Sequence, residues 1–355
     1  MPLDVTRGSA VNLYSRFGRR PLVLAAAALL ILVALILAGY LAYRDMWTRP
    51  VAPTEKLVLA VPMLPHTSLL LIAEVNGYFV EEGLEVVIKP VSHGKIGLDL
   101  VVKGEADLAG AAEQPFVIEV MNGAQLAMVA KVASVADEIA LVARADRGIT
   151  TVRDLVGKRI GVTLRTSGDY SLWLLMIKNR IAPEGVTLID LPPAALVPEI
   201  LRGSIDALSA WEPIKSDAFA ALSGNAVTFT DPDTYTVAHI LFGRTEFLKA
   251  HPVALQKMLR ALLKAEDFTR ADPRTALAVV AKRLGMEVDR LAPSWTQFLF
   301  KVDLTQSMLV TLEEESRWAV ARGYAKSPPA PLNFLPNLHL DAMLVVRPDR
   351  VSVVH

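Results

Sequence analysis

Apolar positions along this chain fall into three regimes. The first is an unbroken run, LVLAAAALLILVALILAGYLAY at residues 22–43, with no charge in it. In the second, from residue 56, short β-rich stretches alternate with helix-periodic ones. KLVLAVPM alternates and predicts a first strand, and SLLLIAEVNGYFVEEGL predicts a helix stopping near Asn76–Gly77. EVVIKPV reads as a second strand, KIGLDLVVKG as a helix ending at Gly104, and ADLAGAA as a third strand. The rhythm resumes with DEIALVARA, TVRDLVGK and RIGVTL, a strand, a short helix and a strand. Leu172, Leu175, Met176 and Asn179 then recur at i, i+3, i+4 and i+7, predicting a helix that begins after Arg165–Gly168. VTLIDL, LVPEILRGS and IDALSAW continue the alternation, and from about residue 246 the third regime is helical.

Strands alternating with helices imply right-handed βαβ units and a mostly parallel sheet. Two such blocks with a helical tail predict two α/β lobes. In open α/β sheets ligands bind beyond the carboxyl ends of the strands. That rule selects five loops: Pro65–Ser68, Ser92–Gly94, Ala111–Gln114, Arg165–Tyr170 and Trp211–Glu212. No repeat of 20–50 residues interrupts this picture.

The first regime changes the picture of location. Its 22 residues span about 33 Å as a helix, enough for a bilayer core. Arg7, Arg16, Arg19 and Arg20 precede it against Asp4 alone, which orients residues 1–21 to the cytoplasm and the remainder outside. The expectation is a signal-anchor in the inner membrane at 22–43, a linker at 44–56 and a periplasmic domain. A cleavable signal is the competing reading, but its apolar core is usually shorter. Residues 51–355 carry 31 basic and 35 acidic side chains, a net of −4, with no basic patch for nucleic acid. There is no cysteine, so disulfides, thiolate metal sites and a lipid-modified cysteine are excluded.

No catalytic motif stands in the sequence: G-x-S-x-G, H-E-x-x-H and the Walker lysine loop are all missing. The histidines (66, 93, 239, 251, 339 and 355) show no pair at metal-ligand spacing, and no metal or cofactor is expected. His66 and His93 fall in strand-to-helix loops and are candidate ligand contacts, whereas His251 precedes Pro252 at a helix start, on the surface. Thr166 or Ser167 serves either as an N-cap or, with free N–H groups, as a contact for a polar ligand. Asp169, Glu113 and Glu212 all sit at strand ends and together favour a cationic or neutral, hydrogen-bond-rich ligand. Tyr170 and Trp211 offer flat faces to a ring or are packed, and Trp173, Trp295 and Trp318 sit on helix patterns as core.

Five phrases in order carry a resemblance: NGYFVEEGLEV (76–86), LVVKGEADLAGAAEQP (100–115), TVRDLVGKRIGV (151–162), ILRGSIDALSAWEP (200–213) and FLKAHPVALQKMLRALLKA (247–265). The chain resembles the substrate-binding proteins of ABC importers for nitrate, sulfonates, taurine and thiamine-precursor pyrimidines. This implies a two-lobe periplasmic binding protein of type II, non-enzymatic, closing on a small molecule and delivering it to a permease and ATPase. A ligand-sensing module of the same fold, signalling to a membrane partner, is the alternative. Pyrimidine-synthesising relatives use cysteine, histidine and iron, and the lack of cysteine argues against that chemistry. The resemblance places the interlobe crossings near Leu141–Asp146 and Val237–Gly243. Lobe one is then 55–142 plus 242–355, and lobe two 143–241. The family's ligand loops coincide with the five above, giving His66, Thr67, Ser92, His93, Glu113, Gln114, Thr166, Ser167, Asp169, Tyr170, Trp211 and Glu212 as candidate contacts.

Overall fold

A computed structural model describes residues 29–40, 55–326 and 332–354. Residues 29–40 form an apolar, exposed helix of about 18 Å. Among the described residues no helix is long and apolar enough to cross a membrane. The segments expected as a cytoplasmic tail (1–21), as both ends of the anchor (22–28, 41–43) and as most of the linker (44–54) lie outside the described residues.

Residues from 55 onward build two sheets. The strands are β1 (Glu55–Pro62), β2 (Leu84–Val91), β3 (Leu108–Ala112), β4 (Leu126–Val135), β5 (Ile139–Arg144), β6 (Arg159–Val162), β7 (Thr187–Asp190), β8 (Ala207–Trp211), β9 (Ala226–Phe229), β10 (Val237–Arg244) and β11 (Leu299–Asp303). One sheet runs β11-β4-β10-β3-β1-β2 and the other β7-β6-β8-β5-β9. In each, a trio of strands is parallel, as the alternation predicts. The expectation of a mostly parallel sheet fails beyond the trios. β10 is antiparallel to β3 and β4, and β5 is antiparallel to β8 and β9. The reason is the connectivity: β5 and β10 enter their sheets directly from the other sheet, at the edge where the parallel strands end, and so run back the opposite way.

That connectivity also moves the boundaries. β5 already belongs to the second sheet at Ile139 and β10 to the first from Val237. The crossings therefore fall at 136–138 and 230–236, several residues before the expected positions. Sequence pattern alone could not locate them, because β5 and β10 are mostly apolar and buried on both faces.

Local packing follows the patterns. β2 is an edge strand and alternates, with Val87 exposed, while β1 beside it is buried along most of its length. The helices at the strand ends are α1 (Ser68–Val75), α2 (Gly94–Val102), α3 (Glu113–Met121) and α4 (Ser167–Lys178). In α4, Leu172, Leu175 and Met176 are buried as the spacing predicts, and Asn179 ends the helix with its amide donating to the Leu175 carbonyl. Helix α5 (Pro252–Ala271) buries Leu255, Met258, Leu259 and Leu262 against the first sheet's core. Helix α6 (Gln306–Ala321) buries Trp318 beside Tyr170 of α4. Trp295 is buried as expected and Trp173 partly so.

Candidate functional site

All five strand-end loops converge on one cavity. Its lining includes Leu64 and His66 after β1, His93, Gly94 and Lys95 after β2, and Ala112 and Pro115 at and just past the end of β3. Thr166 and Ser167 after β6 and Trp211 at the end of β8 come from the other sheet. Both chain crossings contribute as well: Glu138 lies in the first, and His239 is the third residue of β10 after the second. The enclosed space is about 30 Å³, room for water but not for an organic solute.

The turn between β6 and α4 is built from its own polar atoms. The Thr166 hydroxyl donates to the Thr163 carbonyl at 2.6 Å, so it does not cap the helix. Arg165 stands at φ 63°, and its N–H donates to Asp169 at 3.0 Å. Gly168 packs where a Cβ would stand 3.1 Å from the Ser209 carbonyl oxygen, and the Ser209 hydroxyl donates back to the Gly168 carbonyl. No side chain caps the first turn of α4, and its free amides begin at the cavity wall.

Five of the twelve expected contacts line the cavity: His66, His93, Thr166, Ser167 and Trp211. The others are directed elsewhere. The Thr67 hydroxyl donates to the carbonyls of Pro62 and Leu64, and Ser92 bonds His93 Nδ1 at 3.0 Å. Glu113 accepts the Ala238 N–H at 3.0 Å and the Tyr235 hydroxyl at 3.1 Å, pinning α3 to β10. Gln114 bonds Tyr235 and the carboxyl of Glu315 on α6. Tyr170 packs edge-on to Tyr235 and against Trp318. Glu212 accepts from Ser216 at 2.9 Å and faces Lys215 at 3.5 Å, in a separate surface groove.

Asp169 is the main correction. Its carboxylate accepts the Tyr324 hydroxyl at 2.5 Å and the Arg165 N–H, with Arg322 at 3.5 Å. Burial raises its pKa against those bonds. It faces the C-terminal helical segment rather than the cavity, and with Glu113 and Glu212 also turned away the acidic cleft disappears.

The remaining acid at the cavity was missed from sequence. Glu138 receives His66 Nδ1 at 3.1 Å and His239 Nε2 at 2.8 Å. Burial would raise its pKa, but the charge and hydrogen bond of His239, with His66, hold it well below the ordinary carboxylate range. Burial, then repulsion from His239, brings His66 down to about 4. The two imidazoles stack at 3.9 Å with 4° between their planes. The absence of a histidine pair in sequence spacing is thus reversed by folding. Burial, then Lys95, lowers His93 as well. Lys95, Glu138 and His239 carried no local sequence signal beyond Lys95's place one residue past a selected loop.

The NMT1/THI5-like family model matches residues 65–276. A Brucella abortus protein named as a candidate binding protein is 26% identical over 227 residues, covering 62% of this chain and 69% of its own. The taurine-binding periplasmic protein of Escherichia coli is 22% identical over 203 residues, 56% of this chain and 62% of its own. The solved alkanesulfonate-binding protein of Xanthomonas axonopodis pv. citri, bound to MOPS, superposes with a TM-score of 0.69 at 19% identity, covering 82% of this chain and 98% of that one. The chain belongs to the NMT1/THI5-like family and has the two-sheet fold of the periplasmic binding proteins.

Proposed function

We propose that this chain is a periplasmic solute-binding protein, tethered to the inner membrane through residues 22–43, that delivers a small sulfonate-type anion or zwitterion to an ABC permease and ATPase. One observation carries the ligand class. The cavity is faced by the open first turn of α4, Lys95 and neutral donors, while its one carboxylate is matched by two histidines. A helix N-terminus with free amides favours an anionic group. The taurine and alkanesulfonate relatives support the same class. A cationic solute would need carboxylate partners at the cavity, and Asp169, Glu113 and Glu212 all turn away from it.

The mechanism needs no covalent step. The lobes part about residues 136–138 and 230–236, the solute enters, and closure follows because it touches both sheets in the closed form only. The test is the melting temperature of the full chain against taurine, alkanesulfonates, nitrate, a hydroxymethyl-pyrimidine and polyamines. A ligand at 100 times its Kd adds about 2.7 kcal/mol, a shift of several degrees. Lys95→Gln with Ser167→Ala is expected to weaken sulfonate binding at least about tenfold. A shift with polyamine or pyrimidine alone would overturn the ligand class.

A further inference from the structure

We infer that His66, Glu138 and His239 form a binding site for a divalent cation of the zinc class, opening onto the solute cavity. The inference goes beyond the solute-binding reading and does not depend on it. Donor atoms of the three side chains lie within 4.8 Å of one another, and all three residues are buried. They come from three distant places: the turn after β1, the first crossing and the second residue pair of β10.

Each carboxylate oxygen meets its own imidazole, and the rings lie face to face at 3.9 Å. A single divalent ion in place of the two N–H protons would be held by both nitrogens and the carboxylate at once. The spacing suits it. Ligands at about 2.0–2.2 Å from a tetrahedral ion stand roughly 3.3–3.5 Å apart. The nitrogen-to-oxygen distances are 3.1 and 2.8 Å, each to its own carboxylate oxygen, and the three donor atoms lie within 4.8 Å, so the side chains would close in on one ion.

Two imidazoles and a carboxylate suit zinc or a neighbouring transition metal rather than calcium or magnesium. Because all three also line the cavity, the remaining coordination position faces the space where water or the anionic group of a solute would sit.

The experiment uses the full chain in detergent, stripped with chelator and desalted, titrated with Zn²⁺ by calorimetry and with Co²⁺ by visible absorption, no solute present. One equivalent is expected to bind, with the ligand-field bands of four- or five-coordinate Co²⁺. His66→Gln and His239→Gln should each raise the Kd by more than about 100-fold, while His251→Gln changes nothing. Should either variant fail to fold by circular dichroism, X-ray absorption of the zinc-loaded native chain decides, through imidazole scattering from two rings. No saturable one-to-one binding, binding unchanged in both variants, or a spectrum without imidazole would overturn the site. Solute binding is measured separately on the metal-free chain, so failure of one reading leaves the other intact.

Discussion

At Gly94 an added methyl group has nowhere to go. A Cβ there would stand 2.4 Å from Ala111 Cβ and 2.8 Å from Ala111 Cα, where the start of α2 crosses the end of β3. Gly94→Ala is expected to cost about 1–3 kcal/mol, read as a lower urea midpoint at unchanged m-value. It should also weaken solute binding, because His93 and Lys95 flank the displaced turn. Asp169 tests the opposite case, a residue beside the site that does not face it. In Asp169→Asn the bonds from Tyr324 and Arg165 are impaired, and about 1–3 kcal/mol of stability should be lost. Solute affinity should stay within about threefold, which calorimetry on the variant would check. A large loss of affinity would return Asp169 to the cavity.

Between elements, the contact of α3 with α6 carries two buried acids. Glu113 and Glu315 are both fully buried, and Gln114 beside Glu113 bonds the Glu315 carboxyl. Burial raises Glu113, and burial with the charge of Glu113 raises Glu315 well above its ordinary 4.5. A raised carboxyl keeps its proton in the folded chain after the unfolded chain has released it. Its contribution is therefore full below about 4.5 and is lost as pH climbs from there through the raised folded value, by up to about 1.36 kcal/mol per pH unit for each proton. Melting temperature should fall across that window in the native chain, and Glu315→Gln should flatten the fall. An equal slope in the variant would show that the pair does not hold the proton.

For the molecule as a whole, the question is how a solute reaches a cavity of about 30 Å³. In the proposed mechanism the lobes part, and contacts across them oppose it, two of them hydrogen-bonded pairs. The Tyr324 hydroxyl holds Asp169 at 2.5 Å, and Arg290 pairs with Asp217 at 2.7 Å on the surface. A hydrogen bond to a charged group contributes about 1.5–3 kcal/mol, and an exposed ion pair at most about 1. Tyr324→Phe with Asp217→Asn should shift the solute-free chain toward the open form. Small-angle scattering should then give a larger radius of gyration than native, contracting when saturating solute is added. Equal radii in all states would count against closure as the mechanism.

The chain's own pattern determined the strand–helix alternation, the parallel trios and the five loops that meet at the cavity, because period and strand-end position are local properties. It also marked His66, His93, Thr166, Ser167 and Trp211, which stand in those loops. Tertiary structure alone decided where the neighbouring side chains point. Asp169 turns to Tyr324, 155 residues away, and Glu138 gathers His66 and His239 from 72 and 101 residues away. The physical reason is the same throughout: a backbone period fixes which loop a residue occupies. The direction and charge of a buried polar side chain are set by whichever distant partner satisfies it, and no spacing in the sequence encodes that partner.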